Sequence, residues 1–239
     1  MKRERKAILS RLAGCLLVWA AILLTLAAAV YGTAGDGDLL AREMRRQAPP
    51  ETTGLPETEY PGVGRMTAGY LTGREEAFQY VFSDAEGRQY TCFQPHEAAH
   101  MSDCRDLVGL AGRLRWIAGT AALLLIAAGM ILRRRRDFSG GMLAGLCGAA
   151  AVFIGITLWG LADFDGLFVT FHRLAFTNDG WLLDPRTDLL IRLMPVSFFT
   201  ALGARVLAWV LAAGLVLLGA AAAGQKDKAA VNRMRKGRV

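Results

Sequence analysis

The sequence WIAGTAALLLIAAGMIL, residues 116–132, is followed by RRRRD, residues 133–137, and by FSGGMLAGLCGAAAVFIGITLWGLA, residues 138–162. The first and third of these stretches carry no charge, and each is near the ~20 residues that cross a hydrocarbon core of about 30 Å as an α-helix. Lipid offers the backbone no hydrogen-bond partners, so each should satisfy its own as a helix. Two membrane-spanning helices joined by a short basic loop are therefore predicted.

Two further uncharged stretches, 12–35 and 206–225, have a similar length and composition. The first follows a basic segment, 1–11, and contains small residues at 27–29, so it also fits a signal peptide. Because the apolar run is long and no cleavage site stands out, we expect a retained helix. The predicted fold class is an α-helical integral membrane protein with a bundle of four transmembrane helices.

The basic residues predict the orientation of these helices. Segments 1–11, 133–137 and 226–239 together hold 15 basic and 3 acidic residues, which leaves 13 basic and 18 acidic residues for 36–115 and 163–205. The positive-inside rule then places both termini in the cytoplasm and the two longer segments outside. The net charge of +7 is explained by these clusters, which favour anchoring to anionic lipid over binding to nucleic acid.

The long outer segment, 36–115, is expected to form a small extracellular cap. Residues 47–64 are rich in Pro, Glu, Thr and Gly without apolar periodicity, which predicts an irregular arm. Short aromatic and β-branched runs at 77–82 and 89–93 flank a turn-like sequence, which predicts a β-hairpin. A helical stretch, 96–114, would lead into the second span.

The short outer segment, 163–205, is unusually apolar for a loop, so we expect it to pack at the membrane interface or against the cap. Asp184-Pro185 fits an N-cap with proline at the first helical position, which predicts a short helix that Pro195 would interrupt. His172 in this stretch would lie beside lipid, where a lipid ester could reach it.

The four cysteines differ in setting. Cys15 and Cys147 lie in predicted spans, where a thiol is a small apolar filler. Cys92 and Cys104 share the outer segment, where a disulfide is chemically permitted, and a single pair leaves bridged and free thiols equally open.

Two motifs resemble those of the lipoprotein intramolecular transacylase family. The longer runs from Phe171-His172-Arg173-Leu174-Ala175-Phe176 through Asn178, Trp181, Leu183-Asp184-Pro185, Asp188-Leu189-Leu190 and Pro195 to Phe198-Phe199, and the shorter is His100-Met101-Ser102-Asp103. The four-helix layout with a large first and a small third loop is also similar. The sequence departs from the family pattern after Pro195, where Val196 and Ser197 stand in place of an expected acid, and in having Cys92 and Cys104.

The resemblance implies a bacterial membrane acyltransferase. Its substrate would be a diacylated lipoprotein, from which an ester-linked acyl chain moves to the α-amino group of the N-terminal cysteine to give a lyso-form lipoprotein. Two histidines are essential in that family, and the matching positions are His100 and His172. We expect a monomer that needs no cofactor or metal.

Two imidazoles suit this chemistry. Acyl transfer from an ester to an amine requires proton removal, stabilisation of a tetrahedral oxyanion and proton delivery to the leaving alkoxide. Imidazoles with ordinary pKa values near ~6.5 can divide these tasks around neutral pH. We expect His100 and His172 to face each other, one as base and the other as oxyanion stabiliser and proton donor. The candidates for orienting them or binding substrate are Asp103, Arg173, Asn178, Trp181 and Asp184.

Two other classes of function remain open from the residues alone. His96-Glu97-Ala98-Ala99-His100 has the spacing of a zincin motif, with Glu97 as base and His172 as a third ligand, and would make the chain a zinc-dependent membrane protease. A non-enzymatic channel subunit or assembly factor usually has ionisable residues within its spans, and the four spans contain none.

Overall fold

The computed structural model describes residues 2–236, with side chains as far as residue 226. Nine α-helices, one 3-10 helix and one two-stranded sheet are found in this part of the chain. They follow the order α1 (Lys2–Ala34), α2 (Gly37–Gln47), α3 (Pro50–Thr53), the 3-10 helix (Glu57–Glu59), α4 (Tyr60–Leu71), β1 (Val81–Ser83), β2 (Gln89–Thr91), α5 (Pro95–Leu132), α6 (Arg135–Ala162), α7 (Phe164–Ala175), α8 (Leu189–Leu193) and α9 (Val196–Lys236). Most side chains of the predicted cytoplasmic tail, 226–239, lie outside the described residues.

Four of the described helices, α1, α5, α6 and α9, are long and apolar enough to cross a membrane. This confirms the predicted fold class of an α-helical membrane protein with four spans and a small β-structure. All four helices extend beyond the uncharged stretches, so the boundaries of the spans within them stay predictions.

The chain divides into two compact units. The first comprises 1–26, 114–161 and 208–239, and its described residues belong mainly to the four long helices. Its small core is made of Leu17, Val18, Ile22, Ala122, Met142, Ala149, Val210 and Ala221. Many other apolar side chains of these segments are exposed, as expected of helices that face lipid.

Helices α1 and α6 approach each other closely in this first unit because small residues line their contact. A Cβ atom at Gly141 would overlap the backbone carbonyl of Arg11, and one at Gly145 would lie 2.9 Å from the carbonyl oxygen of Cys15. Close backbone approach at glycine is the usual way in which helices associate in lipid, where burial of apolar surface gives no driving force.

The second unit comprises 27–113 and 162–207 and has the larger core. Its buried apolar side chains include Leu40, Met44, Tyr60, Val63, Phe78, Phe93, Met101, Leu190, Leu193 and Phe198. The prediction of an irregular arm at 47–64 is wrong, because this stretch forms α3, the 3-10 helix and the start of α4. Tyr60 and Val63 are fully buried there, and the Tyr60 hydroxyl bonds to Ala48 and Thr53.

The β-hairpin lies in this second unit. Strands β1 and β2 pair antiparallel, with Val81 opposite Thr91 and Ser83 opposite Gln89. The turn between them is closed by Asp84, whose carboxylate accepts hydrogen bonds from the backbone N–H groups of Glu86 and Arg88. The strands are shorter than the predicted runs 77–82 and 89–93.

The segment 163–205 is largely helical, not a loop. Asp163 caps α7 by accepting a hydrogen bond from the Gly166 N–H over 2.8 Å, so α7 begins directly after α6. The predicted helix start at Asp184-Pro185 is wrong. These residues begin a turn, and α8 begins at Leu189 after Asp188. Pro195 does separate α8 from α9.

Candidate active site

The second unit brings His100 and His172 together from separate helices. His100 lies in the first turns of α5, before the uncharged span begins at Trp116, and His172 lies near the end of α7. Their ring centroids are 6.1 Å apart, and only 8% and 6% of these residues are exposed. Two imidazoles that are far apart in sequence therefore share one buried site.

Aromatic rings surround His172. The centroid of Phe168 lies 4.1 Å from that of His172, and those of Trp181, Phe171 and Phe176 lie 5.1–5.4 Å away. The Phe176 ring also meets His100 edge-on at 5.2 Å. On α7 the apolar residues Phe171 and Leu174 are also exposed, Phe171 by about half and Leu174 by 84%. The histidine is thus covered by apolar groups beside an exposed apolar surface.

A backbone hydrogen bond fixes the proton on His172. Its Nδ1 lies 2.8 Å from the carbonyl oxygen of Phe168, one helical turn earlier. Because a carbonyl can only accept, Nδ1 must carry the hydrogen, and the neutral ring then presents Nε2 as an acceptor. This leaves His172 in the form that a base requires.

The corresponding atoms of His100 have different surroundings. Its Nδ1 is buried and has no hydrogen-bond partner among the described residues, whereas its Nε2 lies 3.6 Å from the Cys104 sulfur. A buried imidazole nitrogen without a partner carries a desolvation cost unless another group binds it. The Nδ1 of His100 is therefore available to form a hydrogen bond with a bound substrate.

Burial controls the charge of both histidines. Desolvation lowers the pKa of His100 and the neighbouring His172 lowers it further, while Asp103 opposes the shift. Desolvation also lowers the pKa of His172, against the hydrogen bond to Phe168, which raises it. Both rings are accordingly neutral near pH 7, because burial in apolar surroundings disfavours the charged form.

Asp103 and Asn178 connect the two segments that carry the histidines. The Asn178 Nδ2 donates a hydrogen bond of 2.9 Å to the Asp103 carboxylate, and the Asn178 Oδ1 accepts one of 2.8 Å from the Gly180 N–H. Asp103 belongs to α5 and Asn178 follows α7. The pair therefore holds the turn after His172 against the helix that carries His100.

The other predicted orienting residues lie elsewhere. Asp184 bonds to the exposed guanidinium of Arg186 at 2.7 Å and does not contact either histidine. Arg173 is exposed, and its guanidinium makes no hydrogen bond or ion pair with any of the described residues. Trp181 is the remaining candidate, and its ring packs on His172 as described above. Of the candidates, the structure thus brings Trp181, Asp103 and Asn178 to the histidines.

The zincin-like residues have structural partners. Glu97 is fully buried, and its two carboxylate oxygens each accept a 2.6 Å hydrogen bond from a backbone N–H, that of Gln94 and that of Leu190. His96 is largely exposed and pairs with Asp188 at 3.1 Å. No group of three His, Cys, Asp or Glu side chains suited to a metal occurs among residues that the structure describes. Glu97 is committed to the backbone and is not available as a base.

Asp188 is the buried partner that joins these segments. Its carboxylate accepts hydrogen bonds from the Asp184 N–H and the Thr187 hydroxyl, besides the contact with His96. Burial raises the pKa of Asp188, but these hydrogen bonds and His96 outweigh it and hold the pKa below its ordinary value. Asp188 belongs to the longer family motif, although sequence analysis assigned it no role of its own; its place in that motif, just before a short apolar helix, was the available signal.

The four cysteines are free thiols. Burial raises the pKa of Cys92 to about 11 and that of Cys104 to about 12. Both groups are therefore protonated at neutral pH. Sequence analysis treated Cys104 only as a possible disulfide partner, although its position four residues after His100 on a helix predicts the contact that is observed.

Comparison with known proteins agrees with this geometry. A family model described as lipoprotein intramolecular transacylase Lit matches residues 15–199, which is most of the chain. The chain belongs to the lipoprotein intramolecular transacylase family. The resemblance inferred from the sequence is thereby confirmed, and the protein is a multi-pass membrane acyltransferase. As a family member it has lipoprotein intramolecular transacylase activity.

Solved structures show the same fold. The in meso structure of the membrane-integral transacylase from Bacillus cereus has a TM-score of 0.70 and 19% identity, covering 94% of this chain and 98% of that one. Two variants of that protein, in which one histidine is replaced by arginine or alanine, have TM-scores of 0.66 at 16% and 17% identity. They cover 95% and 94% of this chain, and 95% and 96% of their own chains. No curated protein sequence is significantly similar to the chain.

Proposed function

We propose that this transacylase moves an ester-linked acyl chain of a diacylglyceryl group to the α-amino group of the N-terminal cysteine of a lipoprotein, with His172 as base and His100 as the oxyanion donor. The observation that carries the proposal is the pairing of two buried, neutral imidazoles whose ring centroids are 6.1 Å apart. His172 has Nε2 left as an acceptor because its Nδ1 bonds to Phe168, and His100 has a buried Nδ1 without a partner among the described residues. The substrate class follows from the family and its lipoprotein-modifying members.

The proton balance assigns the steps. The α-amine attacks the ester carbonyl and transfers a proton to Nε2 of His172, which becomes imidazolium. The oxyanion accepts a hydrogen bond from Nδ1 of His100, and collapse of the tetrahedral intermediate breaks the ester C–O bond. His172 then returns its proton to the leaving alkoxide. This differs from the simpler expectation that the second histidine protonates the leaving oxygen, because a neutral His100 that gave up its single N–H would become an imidazolate.

Modest demands on the base fit this site. A free α-amine has a pKa of about 7.7 to 8.0, so an appreciable fraction is already neutral near pH 7. Amine and ester belong to one molecule, and good orientation of such groups can supply about 7 to 11 kcal/mol of the barrier. The binding and positioning of the lipid are therefore expected to matter more than the strength of either histidine as acid or base.

The exposed apolar side chains of α7 support access from the membrane. Phe171 and Leu174 lie within two residues of His172 in sequence and are exposed. We propose that this face contacts lipid, that the site lies on the extracellular side of a bacterial cell membrane, and that both termini are cytoplasmic. The supporting observation for the orientation is the distribution of basic residues, 15 on the proposed inner side against 13 on the outer side, together with the acidic excess outside.

The test is mass spectrometry of the N-terminal lipopeptide of a lipoprotein, produced in a host that lacks other N-acylation activity. We expect an N-acyl, monoacylglyceryl cysteine with the wild-type chain and an unchanged diacylglyceryl cysteine with His100→Ala or His172→Ala. The matched control is His96→Gln, which removes the exposed third histidine but keeps a side-chain donor for Asp188. Activity that survives both alanine substitutions in inserted protein would refute two-histidine catalysis, and loss of activity in the control would favour a zinc site.

A further inference from the structure

Cys104 occupies a position beside His100 that neither the family motifs nor the proposed chemistry explains. It follows the His100-Met101-Ser102-Asp103 motif directly, and its sulfur lies 3.6 Å from Nε2 of His100, one helical turn earlier. Cys92 packs against the same core without such a contact to an imidazole among the described residues. Of the two outer thiols, Cys104 is thus the one that lies within hydrogen-bonding distance of an imidazole among the described residues.

The direction of the hydrogen bond follows from the chemistry of the two groups. A thiol is a weak donor and its sulfur a weak acceptor, whereas the unprotonated nitrogen of a neutral imidazole is an ordinary acceptor. The S–H···N arrangement is therefore the better of the two possible pairings. The raised pKa of Cys104 and the lowered pKa of His100 both favour a neutral thiol–imidazole pair over an ion pair.

This pairing has a consequence for the opposite nitrogen. If Nε2 of His100 accepts a hydrogen from sulfur, the single proton of the neutral ring must reside on Nδ1. Nδ1 is the buried nitrogen that has no partner in the described structure. The ring would then carry an N–H group that can serve as donor to the oxyanion, while Nε2 of His172 can serve as acceptor for the proton of the amine.

We propose that the Cys104 thiol is a positioning residue that donates to Nε2 of His100 and thereby holds His100 as the Nδ1–H tautomer, ready to stabilise the oxyanion. This rests on the proposed function for its catalytic meaning, although the tautomer itself can be observed without any turnover. Cys104 acts through His100 and does not touch the substrate.

Nitrogen-15 NMR of the detergent-solubilised full-length chain, labelled at histidine, observes the tautomer directly. The chain has only three histidines, so single substitutions of His96, His100 and His172 assign every signal. We expect a protonated Nδ1 and an unprotonated Nε2 for His100 in the wild-type protein at neutral pH. A protonated Nε2 in the wild-type protein would overturn the proposal, and this measurement needs no variant of Cys104 to fold.

Two substitutions separate a tautomer-setting role from simple packing. Cys104→Val keeps an apolar group of similar size but removes the donor, whereas Cys104→Ser keeps a donor in an apolar setting. If the donor matters, we expect Cys104→Val to lower kcat about fivefold, the factor that one typical hydrogen bond supplies, and to shift His100 toward the Nε2–H form. Cys104→Ser should retain most of kcat and the wild-type tautomer, and KM should change little in either variant.

The matched control is Cys92→Val, which should behave as the wild-type protein in both measurements. If packing alone mattered, Cys104→Ser would be the more damaging variant and the tautomer would not change, which would refute the proposal. The histidine variants distinguish failure of the proposed function from failure of the proposed role of Cys104. If His100→Ala retained transacylation, the oxyanion role would fail, whereas the NMR measurement would still decide whether Cys104 sets the tautomer.

Discussion

Replacement of Glu97 should destabilise the protein by removing two hydrogen bonds to backbone N–H groups, one of them buried. In this protein the N–H groups of Gln94 and Leu190 each bond to the Glu97 carboxylate at 2.6 Å. Glu97→Leu fills the space with an apolar side chain but leaves both N–H groups without their acceptor. The Leu190 bond is buried, and the Gln94 bond is only partly so. The Leu190 N–H therefore carries the larger cost, because water cannot replace the lost carboxylate there.

The expected magnitude follows from these two bonds. An unsatisfied buried donor such as the Leu190 N–H costs about 1 to 3 kcal/mol, and the partly buried Gln94 N–H, which water can reach, adds at most about 1 kcal/mol, so we expect a loss of about 1 to 4 kcal/mol in the free energy of unfolding. Glu97→Gln keeps one acceptor oxygen but turns an amide N–H toward the other backbone N–H. We expect roughly half of that loss, about 0.5 to 2 kcal/mol. Such losses are a measurable fraction of a typical total stability of about 5 to 15 kcal/mol.

The assay is denaturant unfolding in detergent micelles, followed by tryptophan fluorescence, with amide exchange at Leu190 as a local measurement. The control is Glu86→Gln in the hairpin turn, where the carboxylate is two-thirds exposed beside Arg88 and should contribute at most about 1 kcal/mol. If Glu97→Leu unfolded within about 0.5 kcal/mol of the wild-type protein, the structural role would be refuted. A Glu97→Gln protein of full stability without activity would instead favour the zincin interpretation.

Two further predictions concern the site. Both site histidines have lowered pKa values in the folded protein. The unfolded chain therefore binds more protons than the folded protein below about pH 6.5. The contribution of the two histidines to stability is complete above that pH and is lost as the pH falls toward their pKa values in the folded protein. Melting temperature measured from pH 7.5 to 5.5 should decline less in the His100→Ala, His172→Ala double variant than in the wild-type protein, and an equal decline would contradict this. Asn178→Ala removes the 2.9 Å hydrogen bond to Asp103. Because this bond is exposed, we expect the free energy of unfolding to change by less than about 1 kcal/mol, while looser placement of His172 lowers kcat in the lipopeptide assay about two- to tenfold. Asp103→Asn keeps an acceptor oxygen for Asn178 and should therefore lower kcat less.

The features that could be predicted from sequence are those with strong local signals. Four uncharged stretches of spanning length predicted four membrane helices, since lipid leaves the backbone no alternative. The Asp84–Gly87 turn between aromatic runs predicted the hairpin, because Asp and Gly supply the hydrogen bonds and positive φ that a tight turn needs. The two histidine motifs named the family, and the structure brings His100 and His172 within 6.1 Å.

The features that were predicted wrongly depend on tertiary contacts. Segment 47–64 has the composition of a linker, yet it is helical because Tyr60 inserts its ring into the core and its hydroxyl finds Ala48 and Thr53. In segment 163–205 the local signal at Asp184-Pro185 predicted a helix start, but Asp163 starts α7 directly after a membrane helix and α8 begins only after Asp188. Helix propensity predicts structure only weakly in both segments, because tertiary contacts of a few side chains outweigh it.

The pentapeptide His96-Glu97-Ala98-Ala99-His100 shows why spacing alone cannot assign chemistry. Helical spacing places residues 96 and 100 on one face, and this holds in α5. Yet the fold gives each member a different partner: His96 pairs with Asp188, Glu97 accepts from Leu190, and His100 faces His172. These partners lie in 163–205, more than seventy residues away, as the separation of 93 positions between Glu97 and Leu190 illustrates. The local sequence identified residues that are able to react. Only their contacts with segment 163–205 determine which of them is available for catalysis.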